Sequence, residues 1–501
     1  MTDVVPRARA TARDRLGVVV LALPALLTSM DLSVLFLASP WISADLGPTS
    51  GQLLWAMDIY GFMMAGLLIT MGTVGDRIGR RKLLLIGALA FGGASLLAAF
   101  ATSAEMLIVA RALLGVAGAT LAPSTLSLIR GMFDDEDQRR TAVGVWTGAF
   151  LGGVTIGPIV GGLLLEHFWW GSVFLINVPV MAVLLIAAPI VVDESRDPDP
   201  GRFDVLDAAL SLGAVLPVVH GVMTIAEDGV RWTSVAGIAV GTGLAAVFVA
   251  RQLRSASPMI DMRLFARPAF SAAVLSNGVI VFASAGMGLL AATYIQTVLG
   301  HAPFVAALWM LPTVAGTVVG VAIASRAART VSSTLLVPLG LLISASGFVA
   351  FCLVTPDSHI GVLITAYSAL TLGVGVTATL VTSLVLAAAP PEKAGAASAL
   401  AEATGEFGGA LGIAVLGTLA GTIYRNRTDT DTLGHAVAAA RELPDEAADL
   451  LIERAFDAYT SGFTAAAVVG AVLLTASAVA AGPLLRAGAT PRSTGTRRQP
   501  Q

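Results

Sequence analysis

Five charged side chains stand inside long apolar runs of this 501-residue chain: Asp31, Asp58, Arg111, Glu402 and Glu406. A charge held within a bilayer is costly, so each is read first as a functional group. Glu402 and Glu406 are spaced i, i+4 and share one face of a helix. Two carboxylates that close cannot both ionise cheaply in a low dielectric, and a carboxyl that exchanges a proton is what a proton-coupled machine needs. The competing readings are that one of these acids caps a neighbouring helix or pairs with Arg111, and that Arg111 clamps buried backbone carbonyls.

The elements that carry these residues follow from composition. The chain is 56% hydrophobic and 13% charged, with net charge −3 and mean hydropathy +0.82. Soluble domains carry about a quarter charged residues, so the class is an all-α polytopic membrane protein. Its single cysteine, Cys352, excludes an intramolecular disulfide. With about 20 apolar residues per crossing, fourteen spans are expected, at 16–37, 52–71, 83–101, 106–129, 142–165, 173–192, 205–225, 233–251, 270–296, 304–324, 335–354, 360–386, 396–424 and 459–485. The first is too long for a signal peptide and holds Asp31, so it is a retained helix.

Charge supports an even number of spans. Of the 30 Lys and Arg, Arg111 is intramembrane, and Arg231, Arg425, Arg427, Arg441 and Arg454 fall outside; the rest collect on the side of the termini. That side is therefore expected to be cytoplasmic. The expected organisation is a six-helix bundle over 1–192, a linker and two inserted helices over 193–254, and a second six-helix bundle over 255–485. The last contains an outer loop, 425–458, with helix-like 445–456, and a disordered cytoplasmic tail follows at 486–501. At 1.5 Å per residue, Asp31 lies about 22 Å from the inner start of its helix and Asp58 about 9 Å from the outer start of the next. The two acids share a similar depth.

Three stretches carry a family likeness. Between the second and third spans runs Gly72-Thr-Val-Gly-Asp-Arg-Ile-Gly-Arg-Arg-Lys82, a turn of glycines and bases. With Gly72, Asp76, Arg77, Gly79, Arg80 and Arg81 in place, it resembles the signature loop G-x-L-x-D-R-x-G-R-R/K of the major facilitator superfamily, a cytoplasmic gate element. Arg111, Gly115, Gly118 and Ala119 resemble its fourth-helix motif R-x-x-Q-G-x-G-x-A, with Leu114 in place of the polar residue and Ala117 in place of a glycine. In the fifth span Gly153, Gly157 and Gly161 recur every fourth residue, beside Pro158 and Gly162. That face admits close helix contact, and the full pattern resembles the hinge of the superfamily's antiporters.

Nearly the whole chain is similar to the fourteen-span drug:proton antiporter branch, in Asp31, Trp55 to Tyr60, Phe174 to Pro179, Tyr294 to Gln296, Pro303, Leu311, Pro312 and the Glu402/Glu406 pair. Two departures stand out. Trp170-Gly171-Ser172 lacks the arginine of the branch's W-R-W, and the second-half copy of the signature loop shrinks to Ser325 to Arg329 without an acid. The resemblance implies two six-helix bundles plus two inserted helices, working as a monomer in the bacterial inner membrane. It implies proton-driven export of lipophilic cations, with Asp31, Asp58, Glu402, Glu406 and Arg111 handling proton and cation.

Aromatic and methionine side chains suit flat cations. Tyr60, Met63, Trp146, Phe150, Met287, Tyr294, Trp309 and Phe407 are the pocket candidates. The expected partners are small cations, protons and lipid. No metal, cofactor, nucleic acid or enzymatic step is expected, and no phosphate loop suggests ATP. The rivals are a same-fold carrier of a native metabolite and a membrane sensor or scaffold. Arg111 as the one intramembrane base favours cations over anions. For the topology, cysteines placed at 435 and at 495 should differ in intact cells, with an impermeant thiol reagent labelling only the first. Labelling of both, or of 495 alone, rejects the fourteen-span arrangement.

Overall fold

Inside a bilayer a backbone must satisfy its own polar groups, and an apolar run does so as a helix. The computed structural model describes residues 11–133, 135–196, 205–228, 231–255, 262–388 and 394–488. The first helices are α1 (Ala12–Leu46), α2 (Ser50–Ile78), α3 (Arg80–Ala99), α4 (Ala104–Gly131) and α5 (Glu136–His167), then α6 (Ser172–Leu175) running into α7 (Asn177–Val191). An inserted pair follows, α8 (Val205–Asp228) and α9 (Trp232–Arg254). The second bundle holds α10 (Pro268–Thr293), α11 (Pro303–Trp309), α12 (Leu311–Ala327), α13 (Ser333–Phe351), α14 (Ile360–Ala388) and α15 (Ala394–Arg425). A short α16 (Leu433–Ala440) precedes α17 (Asp445–Gly488).

Among the described residues, 11 helices are long and apolar enough to cross a membrane, counting α6 with α7 and α11 with α12 as single spans. The bent helices α1 and α2 bring the total to 13, and α8 holds a shorter apolar stretch, Leu206–Val222. Every expected span thus falls on a helix. The tail beyond 488, most of the 193–204 linker and 256–261 lie outside the described residues.

Several expected boundaries change. The turn at 72–82 contracts to Gly79, because Gly72 to Ile78 continue α2 and Arg80 begins α3. Arg80 Nε donates to Asp76 Oδ1 at 2.8 Å, which ties the start of α3 to the end of α2 across the turn. Gly79 turns the chain with φ 107°, a value that side chains rarely adopt. The stretch 445–456 is continuous with the last span in the 44-residue α17. The sixth and tenth spans are each broken, at Ile176 and at Met310 before Pro312.

In the first bundle α1 packs on α5, α2 on α4, and α3 on α4 and α7; in the second α10 packs on α15 and α17, and α14 on α12 and α13. α2 and α15 join the two halves, and α8 lies against both. Ser211 Oγ on α8 donates to Gly66 O of α2 at 3.0 Å. Far from the signature loop, Ser43 and Thr432 share a hydrogen bond of 2.9 Å, and Gln296 Nε2 donates to Leu37 O at 3.0 Å.

The glycine face of α5 makes one of the close contacts. α1 bends by 41° between Asp31 and Ser33. Ser29 and Ser33 donate back to the carbonyls of Leu26 and Met30, a bonding mode that bends helices. The bent stretch presses on α5, where a Cβ built on Gly157 would lie 2.5 Å from Ser33 Oγ and 2.8 Å from Met30 Cγ. Beyond the seam, a Cβ on Gly162 would meet Phe304 Cα of α11 at 2.7 Å. Gly157→Leu should therefore destabilise the fold by about 1–3 kcal/mol, the usual range for overpacking, and lower the melting temperature of the purified protein. Gly152→Leu is the control, since a Cβ there meets nothing within 4 Å. Equal melting of the two variants would show that the seam is loose.

Candidate functional site

The five intramembrane charges separate into two groups. Arg111 on α4 is fully buried. Its Nη1 donates to Asp31 Oδ2 in a salt bridge, its Nε to Ala56 O at 3.2 Å, and its Nη2 to Met57 O at 3.4 Å. Its Cζ lies 4.6 Å from the ring centroid of Tyr60. Both alternatives raised for Arg111 hold together: it pairs with an acid and it clamps two carbonyls of α2.

Asp58 follows those carbonyls by one residue and stands apart from the clamp. It is 1% exposed, and among the described residues neither carboxyl oxygen has a hydrogen-bond partner. Asp58 lines a cavity of about 360 Å³ together with Glu402 and Glu406 of α15. The other walls are Ser29, Ser33 and Phe36 of α1, Phe150 and Val154 of α5, and Val281 and Ala285 of α10. Three carboxyls drawn from both halves thus face one mostly apolar space, and among the described residues its lining holds no base. Asp31 faces a separate small recess beside Val173, Phe174 and Asn177.

Of the eight pocket candidates, Phe150 lines the acid cavity. Trp146 stacks on it at 6.2 Å, with its Nε1 donating to Thr125 Oγ1 at 3.1 Å. Phe407 packs against Phe62 at 6.2 Å. The structure moves others out of the cavity. Tyr60 lies buried under Arg111; Met63 faces Gly115 of α4. Met287 and Tyr294 are fully buried, the latter against Phe463 at 5.2 Å with its hydroxyl donating to Thr355 O at 2.7 Å. Trp309 is 37% exposed at the end of α11. Apolar type alone does not distinguish a cavity wall from a helix seam, which explains these differences.

Sequence reasoning missed Glu194. Its carboxylate accepts from the backbone N–H groups of Arg81 at 2.9 Å and Lys82 at 3.2 Å, at the positive end of α3. Arg80 N donates to Ser195 O at 3.0 Å, and Arg13 Nη2 to Asp193 Oδ1 at 2.8 Å. The segment after α7 is thereby sewn to the signature turn. Its signal was the acid pair Asp193-Glu194 directly after a span, facing a basic turn. The missing W-R-W arginine also has a steric account, because Gly171 packs on Ala99 O and Trp169 Nε1.

The two groups of charges should respond differently to neutralisation. Asp31→Asn leaves Arg111 buried without its counter-charge, and breaking such a pair costs about 3–5 kcal/mol. Asp58→Asn removes no partner and should leave the unfolding transition unchanged or raised. Equal losses in unfolding experiments on the purified variants would contradict this division.

Residues 21–413 match the family profile of the Major Facilitator Superfamily. The chain is 42% identical over 492 residues to the multidrug efflux pump LfrA of Mycolicibacterium smegmatis, covering 95% of this chain and 97% of that protein. It is 33% identical over 488 residues to the methyl viologen resistance protein SmvA of Salmonella typhimurium, covering 92% and 96%. Among solved structures, a bacterial homolog of the human lysosomal transporter Spinster, inward-facing and unoccupied, aligns with a TM-score of 0.66 at 17% identity over 95% of this chain and 98% of that one. At that identity the likeness concerns the fold. Two helical bundles, the signature turn, the buried fourth-helix arginine and relatives alike over nearly the full length lead to one conclusion: this chain belongs to the Major Facilitator Superfamily of membrane transporters.

Proposed function

We propose that the protein is a multidrug efflux antiporter that exchanges protons for lipophilic cations. The observation that carries this reading is the single cavity in which Asp58, Glu402 and Glu406 meet among apolar walls. Relatives named for multidrug efflux and methyl viologen resistance support the export of cations. A carboxylate in such a space draws a cation because few other groups offset its charge. When it takes a proton that attraction ends, so one site serves both ions in turn.

The Asp31–Arg111 pair acts beside this site as the fixed element. It holds α1 and α4 to the carbonyls that precede Asp58. Asp58 comes from the first bundle and the two glutamates from the second, so rocking of 1–192 against 255–485 changes their spacing and their access to either side. The bonds of Ser43 to Thr432 and of Gln296 to Leu37 hold the two halves together at one end, while Glu194 stiffens the signature turn within the first half. The protein works as a monomer in the cytoplasmic membrane with both termini inside, and Asp445 to Phe456 extend the last helix outward.

Asp58→Asn and Glu406→Gln should each slow dye efflux at least tenfold with unchanged amounts of protein in the membrane. An amide keeps the size of the acid and cannot exchange a proton. Rates equal to the parent for either variant would remove that residue from the coupling. Three cavity acids exceed the need of a one-proton exchange, so at least two protons should move per monovalent cation. The membrane potential then contributes about 2.3 kcal/mol per 100 mV, roughly fiftyfold in accumulation. A valinomycin-clamped potassium potential should drive efflux in proteoliposomes without a pH gradient. Efflux that responds to the pH gradient alone would make the exchange electroneutral.

A further inference from the structure

A second cavity of about 370 Å³ adjoins the first. Its walls come from α1, α5, α12 and α14, and Leu151, Val314, Val318 and Tyr367 are representative. Among the described residues its lining holds no charged side chain. Ser33, Phe36 and Val154 line both cavities, so the two lie side by side as neighbouring lobes. Across the second lobe, α5 of one half faces α12 of the other. Val154 and Val318 are the wall residues that α5 and α12 contribute from either side.

A cation gains nothing in the charge-free lobe, where no acid meets it, and an alkyl chain gains little beside three carboxyls. A molecule that carries both fits the two lobes at once. Resting on the cation-efflux reading, we propose that the lobe between α5 and α12 is the subsite for the apolar tail of an amphiphilic cation, with its charged head held by the acid lobe. Ser33, Phe36 and Val154 mark the junction that the first methylenes cross. Tail length is then read by the α12 wall and head charge by Asp58, Glu402 and Glu406. Because α5 and α12 belong to different halves, rocking opens or narrows the tail subsite together with the acid lobe.

The test uses butyl- and octyltrimethylammonium, which share a head and differ in tail. Binding of labelled butyltrimethylammonium to the purified full-length protein, and its displacement by the octyl compound, gives both affinities. Each buried methylene is worth about fourfold. Val318→Trp and Val314→Trp fill the lobe and should weaken octyl binding at least tenfold while changing butyl binding less than twofold. Val318→Ala enlarges the lobe and should raise the octyl-to-butyl preference at least twofold, which decides the matter should both Trp variants fail to fold. An unchanged preference in folded variants, or equal loss of both compounds, overturns the tail subsite while leaving cation binding intact. If the parent binds neither compound, or if Asp58→Asn binds both as the parent does, the cation reading falls and the subsite with it.

Discussion

A fully buried guanidinium is the constraint around which the first bundle is arranged. Arg111 has five N–H donors and no acceptor, so its neighbours must supply oxygen or negative charge. Asp31 of α1, the carbonyls of Ala56 and Met57 on α2, and the ring face of Tyr60 do so. Three helices are thereby fixed to one group at one depth. The clamp reaches the residue just before Asp58, so the position of that acid is set by bonds in which it takes no part. Its own oxygens have no hydrogen-bond partner among the described residues, which on the proposed reading leaves them to the proton and the cation.

The second constraint is the glycine face of α5. Without side chains at Gly153, Gly157 and Gly161, the bend of α1 lies directly against that helix. Ser33 stands at the contact: its hydroxyl bonds back to Met30, it meets Gly157, and it lines both cavity lobes. A helix seam and a binding wall are here the same few atoms. On the proposed reading, a shift of α5 against α1 during rocking is felt at the site without any intervening mechanism. The position of Pro158 on the wall of the second lobe belongs to the same arrangement.

Much of this was legible in the sequence because bilayer physics leaves few options. Apolar runs of fixed length gave the helices. The cost of intramembrane charge drew attention to the five residues that form the clamp and the acid cavity. The division between them was not legible, since Asp31 and Asp58 look alike along the chain and differ only in what α4 places beside them. Some of the pocket candidates lie elsewhere for a related reason, although Phe150 does line the acid cavity. Tyr60, Met287 and Tyr294 have the right chemistry, but packing sends their side chains into helix seams. Glu194 escaped notice because its partners are backbone N–H groups, which no residue code marks.

The contrast between the clamp and the cavity also bears on breadth of substrate. Recognition of one compound needs polar groups set to match its own, because a buried polar group left unpaired by the wrong ligand rejects it. The acid cavity has few such groups: three carboxyls, the hydroxyls of Ser29 and Ser33, and otherwise apolar walls. Attraction between a carboxylate and a cation falls off slowly with distance in a low dielectric and demands little of direction. Apolar contact demands shape and asks still less of chemistry. On the proposed reading, a site that combines the two would accept many cations of the right size and reject anions and strongly polar neutral molecules, which would lose water and gain no partner. The directional bonds are gathered instead in the Arg111 clamp, where they hold the fold and leave the cavity unspecific.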